Sequence, residues 1–202
     1  MYINTTTNIY PVTEQQIKQL NETISFPALF VPPEEYKYVF PKPAPSYNPN
    51  TQRVQEQTPV LTVLGHYEQS WVVTDINPEV IAANLASAKL QKNLQINKWR
   101  AEANQTSFTH LGKQIACDSL SRSDIDAVAG SVSLNGAFPV GFPNAWKAMD
   151  NTYLSLPDID SFKAMYTSMT LQGTINFGKS QTLKTALTNA TTIEEVQALA
   201  WE

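Results

Sequence analysis

Two histidines and one cysteine, His66, His110 and Cys117, are the side chains best suited to metal or nucleophilic chemistry, and their spacing works against both. A tetrahedral metal site draws three or four ligands from His, Cys, Asp and Glu at short separations. These three stand singly, with no Cys-x-x-Cys and no His-x-x-x-His, so neither a metal nor a cofactor is expected. A Cys117 nucleophile would need a base and a third group to orient that base. His110 is placed to face Cys117 across a hairpin, but no orienting group accompanies it. The cysteine therefore reads as a small buried hydrophobe. Asp118, Asp124 and Asp126, interleaved with Ser119, Ser121 and Ser123, offer paired carboxylates for acid–base work. Ser and Asp are also the preferred helix caps, and an apolar helix face begins at once with Ile125 and Val128, so capping accounts for them. Glycine totals seven, and none forms the G-x-G-x-x-G loop that cradles phosphates. The expectation is a protein that is not an enzyme.

Recognition is better served. Tyr2, Tyr10, Tyr36, Tyr38, Tyr47, Tyr67 and Trp71 concentrate in the front of the chain. Aromatic rings serve the core, stack on sugars or anchor a protein partner. Core duty is expected for about half of them by strand alternation. The candidate interface comprises Tyr36, Tyr38, Phe40, Tyr47, Tyr67 and Trp71, with Leu90 and Leu94 from a long helix.

The elements that must position these residues follow from proline. Ten of the thirteen prolines fall in the first 78 residues, and none lies between Pro78 and Pro139. Proline breaks helix interiors and is confined to turns, edges and first helical turns. Thr13 with Gln16 forms a capping box ahead of a short helix. Tyr36–Phe40 alternates with a period of two and reads as a strand, followed by extended backbone at Pro41, Pro43 and Pro45. Arg53–Glu56 and Val60–Leu64 are short candidate strands. His66–Asp75 is the clearest one, with Tyr67, Gln69, Trp71 and Val73 on one face.

Asn77-Pro78-Glu79 is a strong helix start, and no breaker appears until about Thr106, which gives a helix of roughly 40 Å at 1.5 Å per residue. Val80, Ala83, Ser87, Leu90, Leu94, Asn97, Ala101 and Asn104 keep the alternating three- and four-residue spacing of a heptad seam. Either the helix packs on its own domain, or this seam joins copies of the chain with Asn97 and Asn104 setting register. Phe108–Cys117 reads as a hairpin turning at Gly112-Lys113. A buried helix follows, carrying Ile125, Val128, Ala129 and Val132 and closed by Gly136. Ala145–Leu156 reads as another strand pair or an extended segment, centred on Trp146 and Tyr153. A second long helix runs past Gly173, and a short one opens on the capping box of Thr192 and Glu195. The resulting expectation is α+β: a Pro- and aromatic-rich antiparallel β domain over 1–76, a linking helix over 77–106, and a helical domain with a hairpin over 107–202.

Composition bounds the partners. Only 16% of residues are charged and the net charge is −4, without a Lys/Arg cluster, so no nucleic acid is expected. No apolar run approaches the ~20 residues of a membrane span, and no signal peptide is visible at Met1–Thr5, so no membrane partner is expected.

Particular strings carry a resemblance. Tyr36-Lys37-Tyr38-Val39-Phe40-Pro41-Lys42-Pro43, Thr58-Pro59-Val60-Leu61 and Gly65-His66-Tyr67-Glu68-Gln69-Ser70-Trp71 resemble the front region of tail proteins from tailed bacteriophages. Cys117–Ile125, Trp146–Asn151 and Ala190–Val196 resemble an uncharacterised domain often found at the C-terminus of phage tail-fibre and fibre-assembly proteins. The resemblance transfers no catalytic residue. It implies a structural component of the virion tail, made in the host cytoplasm and joined to a tail-fibre or baseplate protein, with a homo-oligomer as a further possibility. A tail-fibre assembly chaperone and a host-surface carbohydrate-binding module are the alternatives.

Overall fold

Alternation at Tyr36–Phe40 builds the middle strand of a five-stranded sheet in the computed structural model, which describes residues 1–202. The fold is α+β. Contacts divide the chain into two units, Met1–Ile81 and Ala82–Glu202.

The first unit contains β1 (Tyr2–Asn4), β2 (Ile9–Val12), α1 (Glu14–Leu20), β3 (Tyr36–Phe40), β4 (Gln52–Leu61) and β5 (Tyr67–Asp75). The sheet order is β2-β1-β3-β5-β4, antiparallel throughout except where β3 lies parallel to β5. β1 and β2 escape a periodicity argument because they have three and four residues. Their turn is local chemistry: Asn4 Oδ1 accepts the Thr6 and Thr7 N–H groups, and Asn8 takes a positive φ of 58°. Pro11 is tolerated within β2 because that strand is at an edge. The two short strands expected around Thr58 are one, β4, whose register slips between Gln57 and Val60. Thr58 and Pro59 form the bulge, and the missing proline N–H falls on the other edge strand, where it blunts the edge.

The sheet curls until its edges meet. Tyr10 of β2 donates to Glu56 of β4, and Gln69 of β5 donates to the same carboxylate oxygen at 2.8 Å. Burial and this bond raise the pKa of the Tyr10 phenol. By register Ile3, Val39, Glu56 and Gln69 share the inner face, where Ile3 and Val39 are buried. On the outer face, Val12, Ile17 and Tyr36 form a small core with Tyr2, Phe26 and Phe30 packed against it. The Thr13–Gln16 capping box fixes α1 over it.

The second unit holds most of α2 (Pro78–Asn104), then β6 (Ser107–His110), β7 (Lys113–Ala116), α3 (Ser119–Asn135), β8 (Ala145–Lys147), β9 (Tyr153–Ser155), α4 (Ile159–Asn189) and α5 (Ile193–Ala198). Asn77 caps α2 as its sequence suggests, accepting the Glu79 N–H at 2.8 Å. The helix is not a free-standing link. Ile96 is wholly buried with Leu187, Ala190 and Val196, while Leu85, Ala88 and Trp99 pack around them. Lys89 donates to the Thr188 carbonyl and Lys92 to the Leu199 carbonyl, at 2.9 and 3.0 Å. α4 and α5 have no basic residue in their own last turns, so α2 supplies the cations that favour a helix C-terminus.

The buried stripe of α2 is displaced from the heptad seam by one or two residues, which at 3.6 residues per turn is a different face. Leu90 and Leu94 are 61% and 55% exposed. Asn104 does set a register, but within the chain: it accepts from the Asn176 amide of α4 at 2.8 Å, and Asn176 is buried. No helix is long and apolar enough to cross a membrane.

A second core joins Phe108 and Ile115 of the β6–β7 hairpin to Ile125 and Val128 of α3, and to Phe162, Met165 and Met169 of α4. Asp118 caps α3, and Gly136 ends it with a φ of 65°. Gly173 does not interrupt α4. The β6–β7 turn falls at Leu111-Gly112, one residue before the expected Gly112-Lys113. Both turn residues have positive φ, 47° and 75°, as a type I′ hairpin turn requires. A leucine there sits in the left-handed region at a cost of about 1–2 kcal/mol. Leu111 is exposed, so Leu111→Asn should raise stability by about 1 kcal/mol in a denaturant melt.

Candidate protein-interaction surface

The outer face of the first unit carries a continuous ladder of rings. Register places Tyr2 opposite Tyr38, with Phe40 two residues further on the same face. Phe26 meets Phe30 at 5.3 Å between centroids, Phe30 meets Tyr2 at 5.7 Å, and Tyr2 meets Tyr38 at 5.6 Å. Tyr38 then meets Phe40 at 5.1 Å, and Phe40 meets the His66 ring at 4.9 Å. The contacts from Phe30 onward are edge-to-face, the favoured arrangement for aromatic quadrupoles. One end of the ladder is packed on the small core. The other is open, with Tyr38 47% and Phe40 49% exposed.

The tip of the β4–β5 hairpin extends this open end. Val60, Leu61, Val63 and Leu64 are all exposed, Val63 completely. Their loop is nevertheless well defined: the Thr62 hydroxyl donates to the His66 carbonyl at 3.0 Å, and Gly65 supplies a φ of 80°. His66 in turn pairs with Glu68 at 2.9 Å. Lys37, Tyr38, Phe40, Leu61, His66 and Tyr67 contribute to a shallow depression of about 450 Å³. Pre-set rings beside an exposed apolar tip are what a protein interface uses as anchors.

Not every candidate belongs to this surface. Tyr36 is 6% exposed and packs in the core with Val12 and Ile17, so it is a support rather than a contact. Trp71 is half-buried, and its indole donates to the Lys42 carbonyl at 2.8 Å, while the Gln69 side chain accepts the Lys42 N–H at 2.9 Å. Two side chains of β5 thus clamp the start of the Pro-rich segment. Tyr67 is half-buried at the rim of the depression, and Tyr47 is exposed on the Pro-rich segment. Leu90 and Leu94 belong to the other unit. Val63 and Leu64 were not singled out in the sequence, because an apolar run ending in glycine reads as strand and says nothing about burial.

The residues with catalytic chemistry are placed otherwise. His110 pairs with Lys113 beside the hairpin turn, whereas Cys117 follows β7 and donates its N–H to the Thr106 carbonyl at the far end. The two do not face each other. His110 is buried, with Nδ1 at 2.8 Å from the Ser168 oxygen, and burial holds its pKa below the usual value. The Ser168 hydroxyl also reaches the Ala164 carbonyl at 3.2 Å, and donating there leaves its oxygen able to accept from the imidazole. Burial pushes the Cys117 thiol up, which keeps it protonated. Asp118 accepts the Ser121 and Leu120 N–H groups and the Ser121 hydroxyl, which hold its carboxyl below the usual range. Asp126 accepts from the Tyr166 hydroxyl at 3.1 Å. No three of His, Cys, Asp and Glu are grouped closely enough to hold a metal ion.

Residues 87–200 match the family model described as Domain of unknown function (DUF4376). No curated protein and no solved structure matches the chain. The matched region runs from the early turns of α2 past the end of α5, taking in the capped helices and both hairpins of the second unit. More than half of the sequence is covered, and the chain belongs to the DUF4376 family.

Proposed function

We propose that this chain is a non-catalytic structural component of a bacteriophage tail, joined to the tail fibre through the open end of its aromatic ladder. The observation that carries the reading is the exposure of Tyr38, Phe40, Val63 and Leu64 on one rigid, hydrogen-bonded framework. Full burial of such a side chain contributes about 1.5–3 kcal/mol, and about half of that for the half-covered Tyr38 and Phe40, so covering the four supplies an apolar driving force for contact. The low charged fraction keeps the desolvation cost of such a contact small. The phage-tail resemblance of the strings that contain these residues, from Tyr36 to Pro43 and from Thr58 to Trp71, supports the identity of the partner.

Mass spectrometry of purified particles tests the assignment. The chain should be present in virions and should be absent from particles that lack fibres. Recovery from infected lysate but not from finished particles would make it a fibre assembly factor instead. Retention at full level on fibreless particles would contradict attachment to the fibre.

A further inference from the structure

We propose that the cleft between the first half of α3 and the β8–β9 hairpin is a saccharide site that takes a neutral pyranoside. It lies within the second unit and is independent of the aromatic ladder. Its volume is about 720 Å³, inside the range of small-molecule sites. Four alanines, Ala116, Ala127, Ala145 and Ala148, line it, and their small side chains leave the space open.

Trp146 and Phe142 supply its aromatic wall. The Trp146 ring packs against Phe142 and Phe162, at 6.3 and 6.5 Å between centroids. Its indole N–H has no acceptor in the chain and is not sealed from solvent. Tyr153 stands exposed on the hairpin side.

The polar groups are the more specific sign. Four acids occur between Ala116 and Tyr153, and three are engaged. Asp118 caps α3, Asp126 holds Tyr166, and Asp150 accepts from Thr152 at 2.9 Å and faces Lys113 at 3.6 Å. Asp124 and the Asn151 amide have no partner and line the cleft, whereas Lys147 shares the other face of the hairpin with Tyr153. Asn151 is fixed by the hairpin turn, with a φ of 62° and its N–H donated to the Ala148 carbonyl at 3.0 Å.

These groups specify the ligand by complementarity. A carboxylate only accepts, an indole N–H only donates, and an amide does both. The ligand must therefore present donors and acceptors close together, with an apolar face for the indole. Sugar hydroxyls serve as both donor and acceptor, and the C–H face of a pyranose lies flat on a ring. A phosphate would meet the Asp124 carboxylate, and a purely apolar ligand would desolvate three polar groups without pairing them.

The 202-residue chain should be applied to a glycan array. Methyl α-glucoside, methyl β-galactoside and N-acetylglucosamine should then be titrated while tryptophan fluorescence is followed. Saturable binding of at least one saccharide is expected, weakened about tenfold or more by Asp124→Asn and by Asn151→Gly, which removes the amide and tolerates the positive φ. Both residues are exposed and glycine accepts the φ of 62° at Asn151, so both variants should stay folded in thermal melts, which separates lost binding from lost fold. Absence of binding on the array and in solution would overturn the proposal. So would binding that both variants leave intact, since the sugar would then sit elsewhere, or capture of peptides with no saccharide bound.

Discussion

Ile96→Ala is expected to cost the second unit about 2–5 kcal/mol, and Ile96→Asp to leave it unfolded. The side chain is completely buried where α2 meets Leu187, Ala190 and Val196, three residues of the α4–α5 end of the unit. Truncation removes apolar contact and leaves a cavity whose walls are helices tied by the Asn104–Asn176 bond, so the site cannot readily collapse. Against a total stability of about 5–15 kcal/mol this is a large fraction. Leu94, two residues away on the same helix, is mostly exposed, and Leu94→Ala should change stability by no more than about 0.5 kcal/mol. The double variant Leu90→Asp with Leu94→Asp should likewise melt as a folded protein. Denaturant melts of the full chain followed by circular dichroism provide the comparison. A neutral Ile96→Ala beside a severe Leu94→Ala would mean that α2 packs through its heptad seam.

That contrast also marks where sequence reading stopped. Caps were legible because they are local: Thr13, Asn77, Asp118, Gly136 and Thr192 each act on backbone groups within a few residues. The face of α2 was not, because the exposed run through Leu90 and Leu94 and the buried run through Leu85, Ala88 and Ile96 have similar spacing. Only the partner helix decides between them, and Asn176 lies 72 residues from Asn104. β1 and β2 were missed because three or four residues carry no period, and Pro11 argues against a strand unless its edge position is known. The hairpin turn shifted by one because leucine is a poor occupant of a positive φ, and the chain accepts it at Leu111.

For the interaction surface, the concentration of tyrosines pointed to the right sheet but not to its open side. Tyr36 and Tyr38 are two residues apart, yet the helix α1 and the segment with Phe26 and Phe30 cover only the first. The cleft on α3 was invisible, since Asp124, Trp146 and Asn151 come from three different elements.

The central claim is tested most directly by measuring binding of the purified chain to isolated tail fibres, with and without Tyr38→Ser and Phe40→Ser. Both residues are half exposed and lie outside the buried set, so the double variant should stay folded, with a melt lowered only by the lost ring contacts. Loss of a central aromatic anchor costs about 2 kcal/mol or more, and 1.4 kcal/mol is a factor of ten, so each change should weaken binding about 30-fold. The account predicts saturable binding by the wild-type chain and its near-complete loss in the folded double variant. Fibre binding of equal strength in both would contradict it, and would place the attachment surface away from the aromatic ladder.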